Sequence, residues 1–447
     1  MAPPPPPPPA ALPDELVEEI LLRLPPDDPA CLLRSSLISK AWGGAVSGPG
    51  FRRRLHELHG APPMLGLLHN QASEPTRFFA PTTASPFSLV APDPSSWLAI
   101  ACRHGRALFL PRSQEARKLL VWDPITGAQH LVPVPAASEC RYLTAAVLCA
   151  ADGCDHRGCL GGPFHVLFVF PYEDHGEYGT SACVYSSETG AWGEPTSTRD
   201  RLMGCIQYSS VVVGSSLLYF VLYDYQESWS ILEYDLSRGS LTVFSAPDVH
   251  CDCLYNLMLT EDNGLGVIQH LHPHLKLWTR EASGGTEARW ALSRVIDLPN
   301  LLPTSACLDE SNRVLVVGFA EGANAIFVST IAGIFAIELQ SEQVRKVCDQ
   351  CCFLNVVPVV TFYTPMSRRN HQNLLLSKPG EEAGGEEGGE EEKTVNQAQQ
   401  LADHGSNAIK EGDFVNTSES IRHDHNISIT CFLHGCSFLF IYQLMEL

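Results

Sequence analysis

The sequence predicts an α+β organisation by domain: a small three-helix module, then an all-β, β-propeller-like domain, then a disordered acidic tail. Three observations predict this order. The first sixty residues contain short amphipathic helical segments, residues 98–363 repeat a strand–turn–strand unit, and seven glutamates fall within 381–392. With 447 residues, 45% of them hydrophobic, the chain is long enough for two domains or for one large repeat domain.

The first predicted helix lies in the segment LPDELVEEILLRLPPDD near the N-terminus. Pro13 and the two acids after it suit a first helical turn, because proline lacks an N–H that would be unpaired there and negative charge offsets the helix dipole. Leu16, Ile20 and Leu24 recur every fourth residue and form an apolar stripe, and Pro25 ends the helix. A helix this short must pack against something to be stable.

Two further helices are predicted before residue 50. Asp28 is a good cap for the second helix, which places Leu32, Leu33 and Leu37 on one side. The third helix is SKAWGGAVS, which contains Trp42, and Phe51 follows its end. Three helices in about forty residues cannot bury all this apolar surface among themselves, so we expect the leftover apolar face to bind a partner.

The segments LPDELVEEILLRLP, LLRSSLISKAW and GPGF, in this order, resemble an F-box. The F-box is a short helical module that docks on the Skp-family adaptor of cullin-RING ubiquitin ligases, and the resemblance covers about residues 12–56. Ser39 and Gly48 depart from the family, which often has a cysteine and an acid there. The alternative is a helical hairpin that packs on the next domain. The adaptor-binding residues that the resemblance implies are Leu12, Pro13, Leu16, Ile20, Leu24, Pro25, Leu32, Leu33, Trp42 and Phe51.

The repeated unit of the central region is a strand, a tight turn, a second strand and often a proline. Its copies are spaced 44 to 63 residues apart, and periods near 50 residues with several strands per unit are typical of β-propeller blades. Five copies are visible, and six or more blades remain open. A pair of β-sandwiches fits the strand count but not the recurring unit. The copies are LLVWDPITGAQHLVPVP (119–135), ACVYSSETGAWGEP (182–195), ILEYDLSRGSLTVFSAP (231–247), LKLWTREASGGTEARWALSRVIDLP (275–299) and GIFAIELQSEQVRKV (333–347).

The turn DPITG at 123–127 and the closing segment NVVPVVTFYTP resemble the F-box-associated β-rich domain that follows the F-box in many plant proteins. The occurrence of both domains in this order strengthens each resemblance. The predicted boundaries are a polyproline arm (1–11), an F-box domain (12–60), a linker (61–97), a propeller-like F-box-associated domain (98–366), and an acidic low-complexity tail with an apolar C-terminus (367–447).

The formal net charge of −20 argues against nucleic acid as the main partner. The N-terminus, MAPPPPPPPAA, lacks the basic and apolar regions of a secretory signal, so we expect the 16 cysteines to be reduced thiols and the protein to be cytoplasmic or nuclear. The apolar end, 427–447, is barely long enough to span a bilayer. A membrane anchor, a closing strand and an exposed end remain alternatives there, and a membrane partner is the less favoured.

Two clusters of possible metal ligands stand out in the sequence. The run HLHPH places His270, His272 and His274 at alternate positions, but its proline disfavours an interior strand, so a solvated loop is the preferred interpretation. The segment CDHRGC (154–159) offers two cysteines and one histidine, but no second ligand pair at zinc-finger spacing follows. Motifs for phosphate binding, zinc proteases and nucleophile elbows are absent. The sequence therefore predicts no metal, no cofactor and no catalytic residue.

The F-box resemblance implies a non-catalytic receptor: the helical module would hold the Skp-family adaptor and through it the cullin, and the β domain would hold a target protein that the sequence does not identify. Two other functions remain open. One is an F-box scaffold without a role in ubiquitination, and the other is a propeller enzyme, against which the missing set of acid, base and metal ligands argues.

Overall fold

The structure is a computed structural model of the 447-residue chain. It describes residues 12–48, 50–70, 79–82, 89–113, 117–135, 143–154, 156, 159, 161–174, 177–198, 204–224, 228–247, 254–281, 288–306, 314–349 and 355–365. The predicted polyproline arm and the predicted acidic tail with its apolar end lie outside the described residues. Within the ranges above, no helix is long and apolar enough to cross a membrane.

The N-terminal module contains four helices rather than the three that the sequence predicts. They are α1 (Asp14–Leu22), α2 (Pro29–Ser36), α3 (Lys40–Ser47) and α4 (Phe51–His59). The sequence analysis missed α4 because charged residues dominate FRRRLHELH. In the fold, Phe51 and Leu55 lie four residues apart on its buried side, as an amphipathic helix requires.

Local side chains explain where the short helices begin. Asp28 caps α2 as predicted, and its Oδ1 accepts a hydrogen bond from the Ala30 amide at 3.2 Å. Ser39, which departs from the family pattern, caps α3 by accepting from the Trp42 amide at 3.2 Å. Gly43 is required where α2 and α3 approach each other, because a Cβ at this position would lie 2.9 Å from the Ser36 carbonyl oxygen. Ser39, one of the two departures from the family pattern, therefore has a local structural role.

The remaining described chain is built almost entirely from strands. The first twelve are β1 (Met64–His69), β2 (Phe79–Pro81), β3 (Trp97–Arg103), β4 (Arg106–Pro111), β5 (Lys118–Trp122), β6 (Gln129–Pro133), β7 (Thr144–Cys149), β8 (Phe164–Asp174), β9 (Glu177–Ser186), β10 (Ala191–Trp192), β11 (Thr196–Thr198) and β12 (Gly204–Val213). The others are β13 (Leu217–Asp224), β14 (Trp229–Asp235), β15 (Ser240–Ser245), β16 (Tyr255–Leu259), β17 (Leu265–Leu271), β18 (His274–Glu281), β19 (Arg289–Asp297), β20 (Leu315–Ala320), β21 (Ala325–Thr330), β22 (Gly333–Glu338), β23 (Val344–Cys348) and β24 (Val356–Val360). A short helix, α5 (Leu298–Leu301), and two 3-10 turns (Thr304–Ala306 and Glu321–Ala323) connect them.

The strands form six antiparallel sheets, which are the six blades of a β-propeller. Blades 1 to 5 are β3–β6, β7–β10 with β11, β12–β15, β16–β19 and β20–β23, and blade 6 has the order β2-β1-β24. The five units recognised in the sequence correspond to the third and fourth strands of blades 1 to 5. The predicted propeller-like fold is confirmed, and the blade number is six.

Blade 6 joins the two ends of the propeller. β1 pairs with β2 on one side and with β24 on the other, and β24 lies between the inner strands β3 and β20. The segment 61–97, interpreted from the sequence as a linker, therefore contains two strands of the closing blade. That interpretation was wrong because the partner strand of β1 comes from the far end of the domain, where no local pattern indicates it.

Apolar side chains are buried between neighbouring blades, in six clusters that follow the ring. The alternation of side chains along a strand explains this arrangement. Ala145 and Val147 of β7 face blade 1, whereas Ala146 and Leu148 face blade 3. Each blade is therefore buried on both faces, and inner strands such as β7 (Thr144–Cys149) and β21 (Ala325–Thr330) are buried over almost their whole length.

A seventh cluster lies in the helical module and includes one residue from beyond the propeller's last strand. Val17, Leu21, Leu32 and Leu55 pack there with Phe362, which is 1% exposed. The Phe362 ring also meets the His56 ring edge-to-face, with centroids 4.6 Å apart. The module is thus packed against the propeller and is not an independent appendage.

Candidate functional site

The outer side of α1 presents exposed apolar side chains. Leu12 and Leu16 are each 52% exposed and Ile20 is 44% exposed, whereas Val17 and Leu21 on the other side are buried. We call Leu12, Leu16 and Ile20 the leucine face. Isolated exposed apolar residues are common, but three at helical spacing on one short helix form a surface that a partner can cover.

The other predicted adaptor-binding residues occupy three kinds of position. Pro13 and Pro25 are exposed, as the leucine face is, while Leu24, Leu33 and Trp42 are half-buried. Leu32 and Phe51 are 3% and 1% exposed and belong to the core of the module. The structure therefore does not bring all ten residues to one surface. Two further exposed apolar residues that the sequence analysis did not select, Leu37 and Ile38, follow α2 at 72% and 65% exposure.

The inner side of the module is held on the propeller by α4. Arg52, 5% exposed, donates from Nη1 to the Cys159 carbonyl at 2.9 Å and from Nη2 to the Thr364 hydroxyl at 3.2 Å. Burial lowers the pKa of the Arg52 guanidinium, with the field of Asp123 acting in the opposite direction. Within the module, Arg54 pairs with Glu18 of α1 at 2.8 Å. One helix thus links the outer part of the helical module to the ring.

A cavity of about 780 Å³ is lined by residues of β3, β12, β16, β20 and β24, which belong to five different blades, and by Arg52 and His56 of α4. Arg103, at the end of β3, crosses this cavity. It donates from Nη2 to the Ser210 carbonyl of β12 at 2.9 Å and from Nε to Glu321 Oε2 at 2.9 Å. Since Glu321 directly follows β20, one guanidinium connects blades 1, 3 and 5.

Two of the titratable groups that line this cavity, His104 and Cys102, are held in their uncharged forms. Burial, reinforced by the Arg103 charge, lowers the pKa of His104 to about 3. Burial raises the pKa of the Cys102 thiol to about 12. At neutral pH the imidazole is therefore unprotonated and the thiol is not a thiolate, so neither group is tuned for acid–base or nucleophilic catalysis.

The histidines of HLHPH do not form a metal cluster among the described residues. His270 lies on β17 and contacts Asn256 Oδ1 through Nε2 at 2.9 Å. His272 is in the turn before β18, and His274 lies 3.8 Å from an Asp297 oxygen. The sequence interpretation as a solvated loop applies to the turn only, because the first and third histidines belong to paired strands.

The second cluster of possible ligands is more compact than its sequence indicates. Cys149, Cys154, His156 and Cys159 place one ligand atom each within 4.8 Å of all the others. The sequence analysis considered the last three and missed Cys149, which ends β7. In the sequence, the only indication that Cys149 belongs to this cluster is its position five residues before Cys154. Among the described residues, this is the group that could hold a metal ion.

Similarity to known proteins was found at the level of families and folds. No curated protein sequence matches the chain. Similar solved structures include the WD40 domain of SCAP from fission yeast, with 10% identity over 57% of this chain and 56% of that chain and a TM-score of 0.32. TolB from Acinetobacter baumannii has 16% identity over 68% and 69%, with a TM-score of 0.33. A mutant puromycin hydrolase complexed with PGG has 14% identity over 61% and 41%, with a TM-score of 0.35.

These structural matches support no argument about function, since every TM-score is below 0.5 and the alignment spans little more than half of the SCAP domain. The family models are more informative. Residues 10–54 match the F-box domain, and residues 99–366 match the model described as "F-box protein AT5G49610-like, beta-propeller". Because the second match covers more than half of the chain, this protein belongs to the family of F-box proteins with an AT5G49610-like β-propeller.

Proposed function

We propose that this chain is the substrate-recognition subunit of a cullin-RING, SCF-type ubiquitin ligase in the cytoplasm or nucleus. The F-box docks on a Skp-family adaptor and through it on the cullin, and the propeller holds a target protein. The chain supplies no reacting group. It acts by raising the effective concentration of the target beside the enzyme that carries ubiquitin.

The leucine face is the observation that supports this proposal most strongly. Fully burying one leucine or isoleucine side chain is worth about 1.5–3 kcal/mol, so covering three of them supplies several kcal/mol of binding free energy. An adaptor that offers an apolar groove would gain this energy without breaking the module, because the core residues Val17 and Leu21 face the opposite way. In this proposal Leu32 and Phe51 support the docking surface from beneath.

The junction at α4 also favours a receptor. Arg52 and Phe362 hold the module against the propeller, so adaptor and target can be bound at the same time on different parts of one chain. The uncharged His104 and Cys102 that line the cavity favour a binding role over a catalytic one.

The test is to place charges on the leucine face. Leu16→Asp with Ile20→Asp is expected to weaken adaptor binding at least about 100-fold, because two apolar contacts worth about 1.5 kcal/mol each are replaced by buried charges. The matched control is Leu292→Asp with Val295→Asp, two residues of β19 that are 48% and 50% exposed on the propeller. Calorimetric titration with purified adaptor measures both variants.

Wild-type affinity in the leucine-face variant would contradict the docking assignment. Reduced affinity in both variants would indicate a general effect of added charge instead. Addition of cullin to the adaptor-bound chain separates the receptor from the scaffold: a ternary complex that ubiquitinates a captured protein supports the receptor, and a complex of adaptor and F-box protein that excludes cullin supports the scaffold.

A further inference from the structure

We propose that Cys149, Cys154, His156 and Cys159 bind one zinc ion, and that this ion fixes the loop on which the helical module docks. Three sulfur atoms and one imidazole nitrogen are a ligand set that zinc prefers in closed, structural sites. All four ligand atoms lie within 4.8 Å of one another. Neither family match assigns a metal to this region, and the inference does not depend on the proposed ligase function.

The measured separations agree with tetrahedral coordination. Zinc–sulfur bonds of 2.3 Å place two sulfur atoms about 3.8 Å apart at the tetrahedral angle, and a sulfur and a nitrogen about 3.6 Å apart. The Cys154 and Cys159 sulfurs are 3.5 Å apart, and the Cys159 sulfur is 3.7 Å from His156 Nδ1. The remaining pairs need to contract by at most about 1 Å to reach the same spacing.

The chain around the ligands is bent in the way that converging ligands require. Cys149 ends β7, and the chain then turns back so that Cys154, His156 and Cys159 reach the same point before β8 begins. His156 has φ +60°, in the left-handed region that residues with a side chain seldom adopt. Such a conformation persists only where surrounding contacts impose it, and bonding of the imidazole to an ion is such a contact.

Neighbouring groups orient the proposed ligands. The His104 ring stacks on His156, with centroids 4.0 Å apart and an angle of 9° between the planes. His104 Nδ1 accepts a hydrogen bond from the Cys149 amide at 3.1 Å. Gly105 lies against the loop so closely that a Cβ there would be 2.8 Å from the Cys159 carbonyl oxygen. Support of this kind, from groups that do not themselves ligate, accompanies metal sites in general.

The position of the cluster indicates its role. The Cys159 carbonyl that Arg52 of α4 contacts belongs to one of the proposed ligands, so the ion would set the position of an acceptor at the module–propeller junction. With four protein ligands the coordination sphere is closed, and no position is left for a substrate or an activated water. The site is therefore structural rather than catalytic.

The first test is the metal content of the full chain, purified from zinc-supplemented cells and passed through a desalting column. We expect about one zinc per chain, as a site with four protein ligands retains its ion. Replacement of zinc by cobalt is expected to give the visible absorption bands of tetrahedral cobalt–thiolate coordination. Less than about one tenth of an equivalent of zinc, together with no cobalt bands, would overturn the proposal.

Two variants with matched controls locate the ion. Cys159→Ser and His156→Ala are each expected to lower the zinc content at least about tenfold, because the loss of one ligand opens the site. The controls are Cys348→Ser, a half-buried thiol of blade 5, and His272→Ala, an exposed imidazole in another loop, and both should retain the ion. If Cys159→Ser fails to fold, His156→Ala still tests the site. His156 is exposed, so its replacement should leave the fold intact.

Equal zinc contents in the ligand variants and the controls would overturn the assignment of this site. A Cys154–Cys159 disulfide found by mass spectrometry in protein kept under a reducing atmosphere would also overturn it, since a disulfide sulfur is not available as a thiolate ligand. The consequence for the junction is measured by proteolysis: removal of zinc with a chelator should speed cleavage after α4 in the wild-type chain and leave the rate unchanged in His156→Ala.

Discussion

The propeller and the helical module bury their apolar side chains in different ways. Every blade is covered on both faces by its neighbours, and blade 6 closes the ring, so the propeller is complete without the module. The module has one cluster of eight buried residues, and one of them, Phe362, comes from beyond the last propeller strand. The difference shows that the propeller is the self-sufficient part, while the module depends on docking.

The largest expected effect tests this dependence directly. Phe362→Ala should lower the free energy of unfolding of the module by about 3–5 kcal/mol, the usual cost of removing a buried phenylalanine ring. The propeller should lose much less. Urea titration separates the two parts, because far-UV circular dichroism in the helical band follows α1–α4, whereas six of the seven tryptophans belong to the propeller and dominate the fluorescence.

The control for this variant removes a ring of the same size from the propeller. Phe109 is fully buried between blades 6 and 1, and Phe109→Ala should shift the fluorescence transition instead of the helical one. If Phe362→Ala moved both transitions by the same amount, the module and the propeller would be one cooperative unit, and the contrast between them would not hold.

A smaller effect is expected at the polar half of the same junction. Arg52→Ala leaves the Cys159 carbonyl and the Thr364 hydroxyl without their donor, which typically costs about 1–3 kcal/mol. Arg53→Ala is the matched control, since Arg53 is exposed and its loss should change stability by less than about 0.5 kcal/mol. The same urea titration applies, and equal midpoints for the two variants would show that the buried guanidinium does not stabilise the junction.

Local patterns predicted those parts of the fold that are built from neighbouring residues. The strand–turn–strand units were visible because both strands and their turn lie within 14 to 25 consecutive residues. In the DPITG turn, for example, Asp123 Oδ1 accepts hydrogen bonds from the Ile125 and Thr126 amides at 2.8 and 3.1 Å. The cap of α2 was predictable for the same reason. Blade 6 was not, because its paired strands β1 and β24 come from opposite ends of the domain.

The same distinction applies to the candidate sites. The stripe of α1 was visible in the sequence, but only the packing of Val17 and Leu21 shows which side faces outward. Arg52 is the first of three consecutive arginines, and its burial depends on acceptors more than one hundred residues away, which no local pattern indicates. Cys149 joins its cluster through a loop reversal that no spacing rule for zinc fingers describes.

The last expected effect is a pH dependence confined to the propeller. Burial lowers the pKa of His270 to about 4, and its Nε2 donates to Asn256, while Nδ1 has no hydrogen-bond partner among the described residues. A protonated ring would therefore bury an unpaired N–H. The unfolded chain has a histidine pKa near 6.5, so it binds more protons than the folded chain between about pH 6.5 and 4, and stability falls as the pH is lowered through this window.

For His270 alone, the loss between about pH 7 and pH 5 is expected to reach about 2 kcal/mol. His270→Gln should remove it, because glutamine does not titrate, so the fluorescence midpoint of the variant should change less over this range than that of the wild type. His272→Gln, in the exposed turn, is the control and should keep the wild-type profile. If the unfolding midpoints of wild type and His270→Gln changed with pH in parallel, titratable groups other than His270 would be responsible for the pH dependence of the propeller. If the midpoint of the helical transition shifted with pH together with the fluorescence midpoint, blade 4 and the module would unfold as one unit. That result would contradict the conclusion that the propeller is independent of the module.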